Sequence, residues 1–361
     1  MKHLFLVAAV ATAALVGSPL HGADEPYLAL LTGFKCSQCH VNRTGGGGRN
    51  AFGNVWAQTA LPIKSFDVRS RNLSDWVAIG FDVRTRFRAA VQTAVPQTQF
   101  DIPEAQVQLE AQVIPRLLTL YLDQAVGPEQ AFTREAFVMA QWKPANGYVK
   151  AGKMLLPYGW RLWDDDAFIR SATRFTFGTP DIGVEVGIEP GPLMWVMALT
   201  NGSSGGSEGD DGKMLTGQAA LVYPAFRIGV SGSHNSQSTL TRDLFGGFGG
   251  FSVGPVAVLG EADWIRENNP CVPASPQIRC RQFAAYVEGN VLTTRGVNAK
   301  VTYGYFDPDL DVDEDQLTRM RFGLEVFPVN ALQLSAFYVW RDAPPSIEQT
   351  DVVTLELHLH F

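Results

Sequence analysis

From residue 75 onward the chain alternates apolar and polar residues. In Trp76 to Val91 the run Phe81, Val83, Thr85, Phe87 and Ala89 interleaves with Asp82, Arg84, Arg86 and Arg88. A period of two with the charges on one side marks a strand with one wet face. The pattern returns where Arg319, Arg321 and Glu325 alternate with Met320, Phe322, Leu324 and Val326. It returns again where Thr354, Glu356, His358 and His360 alternate with Val353, Leu355, Leu357 and Leu359. Turn signals divide the chain into about sixteen strands, beginning near 75, 105, 116, 132, 146, 181, 192, 213, 226, 242, 255, 281, 296, 315, 331 and 351.

The connections alternate in length. Tight links fall at Ile114 to Arg116, Lys143 to Gly147, Glu189 to Pro192, Tyr223 to Phe226, Val253 to Pro255, Thr293 to Gly296 and Phe327 to Asn330. Long polar links lie between them, with Val126 to Gln130 as a short exception. Short turns at one end and long loops at the other predict an all-β fold, an antiparallel transmembrane barrel over residues 75–361. Both chain termini then fall at the periplasmic end. Phe361 closes an alternating strand like a barrel insertion signal, and Trp142, Trp195, Trp264 and Trp340 suit interfacial girdles. Alternation alone also permits a soluble two-sheet sandwich.

Composition narrows the class. With 46% hydrophobic and 18% charged residues in 361, disorder is excluded as the main state. A formal charge of −7 with scattered basic residues argues against nucleic acid. The one long apolar segment is N-terminal: a basic start at Met1 to His3, an apolar core over Leu4 to Gly17 and a small-residue exit over Ser18 to Ala23. This is the layout of an export signal, 1–23, with cleavage expected before Asp24 although His21 fits the site poorly. The mature chain is then expected in the oxidising periplasm or outer membrane of a Gram-negative cell.

The four cysteines divide into two pairs. Cys36, Cys39 and His40 spell CSQCH, the attachment motif for c-type haem. Two thiols at this spacing bond the two vinyl groups of one haem, and the adjacent imidazole becomes the proximal iron ligand. A disulfide with a bystander histidine, or half of a zinc site, are the competing readings; no second Cys/His pair follows at zinc spacing. Residues 24–74 are thus expected to form a haem-binding segment and linker, with a glycine turn at Gly45 to Gly48 and a short helix over Asn50 to Gln58. Cys271 and Cys280 enclose a Pro-rich loop without nearby histidine and are expected to form a disulfide.

An export signal, one CxxCH directly after it and then a complete porin-like barrel resemble the fused outer-membrane cytochrome–porins, including those that oxidise extracellular ferrous iron. The resemblance is carried by Cys36, Cys39 and His40, with weaker support from Phe361. The stretch MLLPYGWRLWDDDAF is similar to a strand–loop passage of phosphate-selective porins. These likenesses imply one covalent haem c and electron transfer across the outer membrane between an extracellular donor or acceptor and a periplasmic c-type cytochrome or other carrier. The alternative is a channel for small anions with the CxxCH segment as a plug. Arg84, Arg86, Arg88, Arg134, Lys150, Arg227, Lys300, Arg319 and Arg321 all fall on the expected lumen face. They could instead merely pair with Asp82, Glu135, Asp263, Glu288 and Glu325.

Two further expectations concern metals. The acidic residues Asp164 to Asp166, Asp210-Asp211 and Asp307 to Asp315 would face outward, where they could gather divalent cations. His360 and then His358, inward-facing at the periplasmic end, are the candidates for the sixth iron ligand, with Met139, Met154, Met194 and Met214 as inner-face alternatives.

Overall fold

A computed structural model describes residues 25–91, 97–127, 131–206, 208–237, 240–269, 271, 279–344 and 350–361. The export signal therefore lies outside the described residues. The strands are β1 Val77–Val91, β2 Thr98–Ile114, β3 Leu118–Ala125, β4 Thr133–Trp142, β5 Gly147–Met154, β6 Asp181–Ile188, β7 Leu193–Thr200 and β8 Lys213–Tyr223. They continue as β9 Phe226–Ser236, β10 Thr241–Val253, β11 Val256–Glu267, β12 Cys280–Thr294, β13 Val297–Asp307, β14 Leu317–Val326, β15 Leu332–Asp342 and β16 Asp351–His360. Each pairs antiparallel with its neighbours in sequence, and β1 pairs with β16 to close the barrel. Phe361 completes the seam, exchanging hydrogen bonds of 2.8 and 2.9 Å with the backbone of Phe81.

The fold is the expected sixteen-stranded barrel. One start is displaced: β2 begins at Thr98 rather than near 105. The register between β1 and β2 shifts between Arg84 and Arg86, and Pro103 sits at that irregularity, where its missing N–H costs no ladder bond. Beyond it Asp101 accepts from Arg86 at 3.0 Å and Arg88 at 2.6 Å, which holds the extended strand.

The alternation places side chains as expected. Phe322, Leu324, Leu355, Leu357 and Leu359 stand exposed on the outer face, where they suit a lipid environment, while Arg319, Glu325, His358 and His360 are buried in the lumen. Trp142, Trp264 and Trp340 are likewise exposed outside.

Two segments fill the lumen. Residues 25–60 enter from the short-turn end as helices α1 Pro26–Thr32, α2 Cys36–Cys39 and α3 Ala51–Ala60. From the long-loop end, residues 155–180 between β5 and β6 fold inward and carry helix α4 Phe168–Thr173. Leu162, Ala167 and Ile169 of this loop are almost completely buried and share one apolar cluster with Leu244, Ile265 and Tyr286 of the wall and Leu28 of the N-terminal segment.

Candidate functional site

The N-terminal segment is fastened to the short turns. In α1 Pro26 occupies the first turn, and Tyr27, Leu28 and Leu30 are buried. Gly33 ends the helix in the left-handed region at φ 70°, where a Cβ would stand 2.9 Å from Pro224. The next helix, α2, is the CSQC of the motif. Its preceding residue, Lys35, donates to the carbonyls of Glu189, Gly191 and Leu193 at 3.3, 2.7 and 2.8 Å, all at the β6–β7 turn. Glu189 Oε2 in turn accepts from Ser37 Oγ at 2.7 Å and Arg43 Nη2 at 3.1 Å.

A tight return follows the motif. His40 pairs with Arg49, Val41 N–H donates to Gly48 at 3.0 Å, and Asn50 N–H donates to Cys39 at 2.9 Å. Gly45, Gly46 and Gly47 all have positive φ, which only glycine adopts cheaply, so the glycine run is a built turn rather than a linker. Asn42 anchors it to the wall, donating to Glu135 at 2.6 Å and accepting from Lys150 at 3.0 Å. Asn50 Oδ1 caps α3 by accepting Gly53 N–H at 2.9 Å. Gly53 lies so close to the Cys39 carbonyl that any side chain there would overlap it.

Between this plug and the inward loop lies a partly open cavity. Cys36, Cys39, His40, Gly45, Gly46 and Trp56 line it from the plug, Gly159, Trp160, Arg161, Trp163 and Phe177 from the loop, and Gln218 and Arg227 from β8 and β9. Its walls are rich in rings: Phe34 packs on Trp56 at 5.7 Å and Trp163 stacks on Phe177 at 4.9 Å. Arg227 lies over Trp160 at 5.3 Å, donates to the Phe34 carbonyl at 2.7 Å and reaches within 3.9 Å of Cys36 Sγ. Cys36, Cys39 and His40 are the residues here that could hold a haem.

The other candidate positions distribute differently. His358 and His360 do face the lumen, but neither lines the cavity. His358 Nε2 is 2.7 Å from Asp82 and its Nδ1 3.1 Å from Gln333, and its ring packs at 5.3 Å on Trp163, a cavity residue. Met139, Met154, Met194 and Met214 are inward and buried, and none reaches the cavity wall. The sulfurs of Cys271 and Cys280 are bonded as expected; residues 272–278 lie outside the described residues.

The acidic triplet overturns its expectation. Asp164 to Asp166 do not face outside but point into the lumen against arginines: Asp164 on Arg319 at 2.5 Å, Asp165 on Arg84 at 2.6 Å and Asp166 on Arg341 at 3.2 Å. Burial opposes ionisation of Asp164, but Arg319 and Arg321 outweigh it and hold the carboxyl well below the usual range. Asp311 is likewise engaged, by Arg281. Among the described residues no group of three or more His, Cys, Asp or Glu side chains is placed to hold a metal ion.

The lumen cations are all inward, and most are paired. Of the expected partners Glu325 and Glu288 do face Lys300, at 2.7 and 3.8 Å. Asp82 instead takes His358, Glu135 takes Asn42, and Asp263 takes Tyr158. Sequence reasoning missed Trp160, Arg161, Trp163 and Phe177 as cavity residues. The density of aromatic residues around Gly159 in LPYGWRLW was the available signal.

No family model matches the chain, and no curated protein is similar to it in sequence. Solved structures do match it. OmpT of Vibrio cholerae aligns at a TM-score of 0.60 and 13% identity over 80% of this chain and 99% of that one. An anion-selective porin from Comamonas acidovorans aligns at 0.60 and 9% identity over 79% and 99%. OmpF of Salmonella typhi, solved with daunomycin, aligns at 0.59 and 10% identity over 79% and 97%. At these identities the likeness concerns architecture, and the fold of this chain is that of the sixteen-stranded outer-membrane porins.

Proposed function

We propose that the protein is an outer-membrane electron carrier in which a covalent c-type haem sits inside a porin-like barrel. The observation that carries this reading is that Cys36, Cys39 and His40 line one aromatic-walled pocket within the lumen. Its ring-lined walls suit a flat, largely apolar macrocycle. The donor set fits the group: two thiols for thioether bonds and one imidazole for the iron. When bound, the haem supplies reversible one-electron chemistry.

The chain's own residues do the rest. Lys35, Ser37 and Arg43 hold the motif to the β6–β7 turn through Glu189 and its neighbours. Trp160, Trp163 and Phe177 of the inward loop line the cavity on its extracellular side. A membrane with a hydrocarbon core about 30 Å thick is too wide for one useful tunnelling step, and a barrel lets the cofactor sit within that span away from lipid. An extracellular one-electron donor such as ferrous iron and a periplasmic c-type cytochrome are the partners this arrangement serves.

A second reading, a channel for small anions, is favoured by the likeness to an anion-selective porin and by the arginines of the lumen wall. Against it stand the plug and the inward loop, which both occupy the lumen, and the ion pairs that engage most of those arginines.

Purified outer-membrane protein should stain for covalent haem and give a reduced-minus-oxidised haem spectrum, both lost in Cys36→Ala/Cys39→Ala while heat-modifiable migration of the barrel persists. A wild-type protein without haem that conducts ions in planar bilayers would overturn the electron-carrier reading in favour of the channel.

A further inference from the structure

Behind the cavity wall lies a second layer of polar groups. Trp160, which lines the cavity, donates its backbone N–H to Glu261 Oε2 at 2.5 Å. Two residues along the same inward face of β11, Asp263 Oδ1 accepts the Tyr158 hydroxyl at 2.9 Å. Both carboxyl groups are buried, and Asp263 Oδ2 makes no hydrogen bond among the described residues. Among the described residues no lysine, arginine or histidine forms an ion pair with either, unlike the carboxylates opposite Arg84, Arg319 and Lys300.

Among the described residues the neighbouring strands set no cation against the pair. On β10 Phe248 stands opposite Glu261 and Gly246 opposite Asp263; on β12 the opposing residues are Tyr286 and Ala284. Tyr286 donates its hydroxyl to Glu288 at 2.6 Å. From β9 Ser231 bonds Gly159 N–H at 2.9 Å, and Arg227 turns toward Phe34 and Cys36. Arg242 of β10 is tied to Glu267 at 2.5 Å and to the carbonyls of Ala172 and Thr173. Two buried carboxyls side by side on one strand face, with no cation set against either, oppose double ionisation, so the pair retains a proton.

We infer that the Glu261–Asp263 pair is a redox-linked proton site, taking up one proton when the cavity gains one electron and releasing it when the electron leaves. This rests on the haem reading of Cys36, Cys39 and His40. An electron added to the cavity is felt by a carboxyl group one residue behind its wall, because protein rather than bulk water lies between them. The balance is simple: the external one-electron donor supplies the electron, lumen water supplies the proton, and the pair passes from singly to doubly protonated. No covalent bond other than O–H forms or breaks. Tyr158 and Trp160 are positioning residues, since their hydrogen bonds hold the pair against the cavity wall.

The test uses the full-length haem-loaded protein in detergent, titrated potentiometrically at a series of pH values. The wild-type midpoint potential should fall with rising pH, approaching about 59 mV for each tenfold drop in proton activity, the one-electron, one-proton limit. Glu261→Gln with Asp263→Asn should flatten that slope and remove a carboxyl band from the redox-difference infrared spectrum. The single variant Glu261→Gln, which keeps an acceptor for Trp160 N–H, should remove most of the slope with heat-modifiable migration unchanged. A haem-stained wild type with no slope, or a double variant that keeps it, would overturn the inference and leave the electron-carrier reading standing. An unstained wild type would instead overturn the haem reading beneath it.

Discussion

Asp164 of the inward loop is gripped by both terminal nitrogens of Arg319 on β14, at 2.5 and 3.0 Å. The pair joins a loop that leaves the wall after β5 to the opposite side of the barrel, and Asp165 repeats the link to Arg84 and Arg86 at 2.6 and 3.3 Å. Bidentate, buried pairing of this kind is a latch.

Opening that latch should follow the aspartates. Burial raises the carboxyl of Asp165, but Arg84, Arg170 and Arg86 more than offset this, so both acids are held below their ordinary range. A lowered acid contributes stability that is complete above its unfolded pKa and is lost as pH falls through its folded one. Loop docking should therefore be insensitive to pH from neutrality down to the ordinary aspartate range and weaken only in stronger acid. Asp164→Asn should loosen the loop at every pH by leaving Arg319 uncompensated, a cost of about 3–5 kcal/mol. Limited proteolysis between 155 and 180 reads both.

Gly53→Ala tests the packing of the motif. With the Cys39 carbonyl occupying the place of a Cβ, α3 must move off α2, at a cost of about 1–3 kcal/mol for overpacking. Haem stain per barrel should fall, and protease should cut the plug sooner. Equal staining and cleavage would mean that α3 yields freely.

Removing the disulfide should stay local. Cys271 and Cys280 are 9 apart in sequence, and a loop this short gives about 2–3 kcal/mol by chain entropy. The double serine variant should lose that much stability in denaturant melts, with haem staining unchanged because the loop joins β11 to β12 at the end opposite α2.

His358 should not act as an iron ligand, because both its ring nitrogens are engaged, by Asp82 and Gln333. His358→Ala should destabilise the β1–β16 seam, seen as a lower temperature for heat modification, while the Soret band stays in place. A shifted band would return His358 to the iron.

The period-two runs through Arg84, Arg321 and His358, and the turn residues between them, determined by themselves the strand number, the inward and outward faces and the end at which the chain closes. Those properties are local: a pleat sends alternate side chains to opposite faces, and Gly and Pro punctuate where they stand. CSQCH was equally legible, because its chemistry lies in adjacent residues. Only the tertiary structure decided that Asp164 to Asp166 turn inward, since a hydrophilic loop reads as exposed until arginines from β1, β14 and β15 are brought round by closure of the barrel. It alone joined Cys36 to Trp160 and Arg227, more than a hundred positions away, and set Glu261 behind that wall. Contacts across a lumen depend on which strands face each other after sixteen pairings, and no window of sequence contains that information.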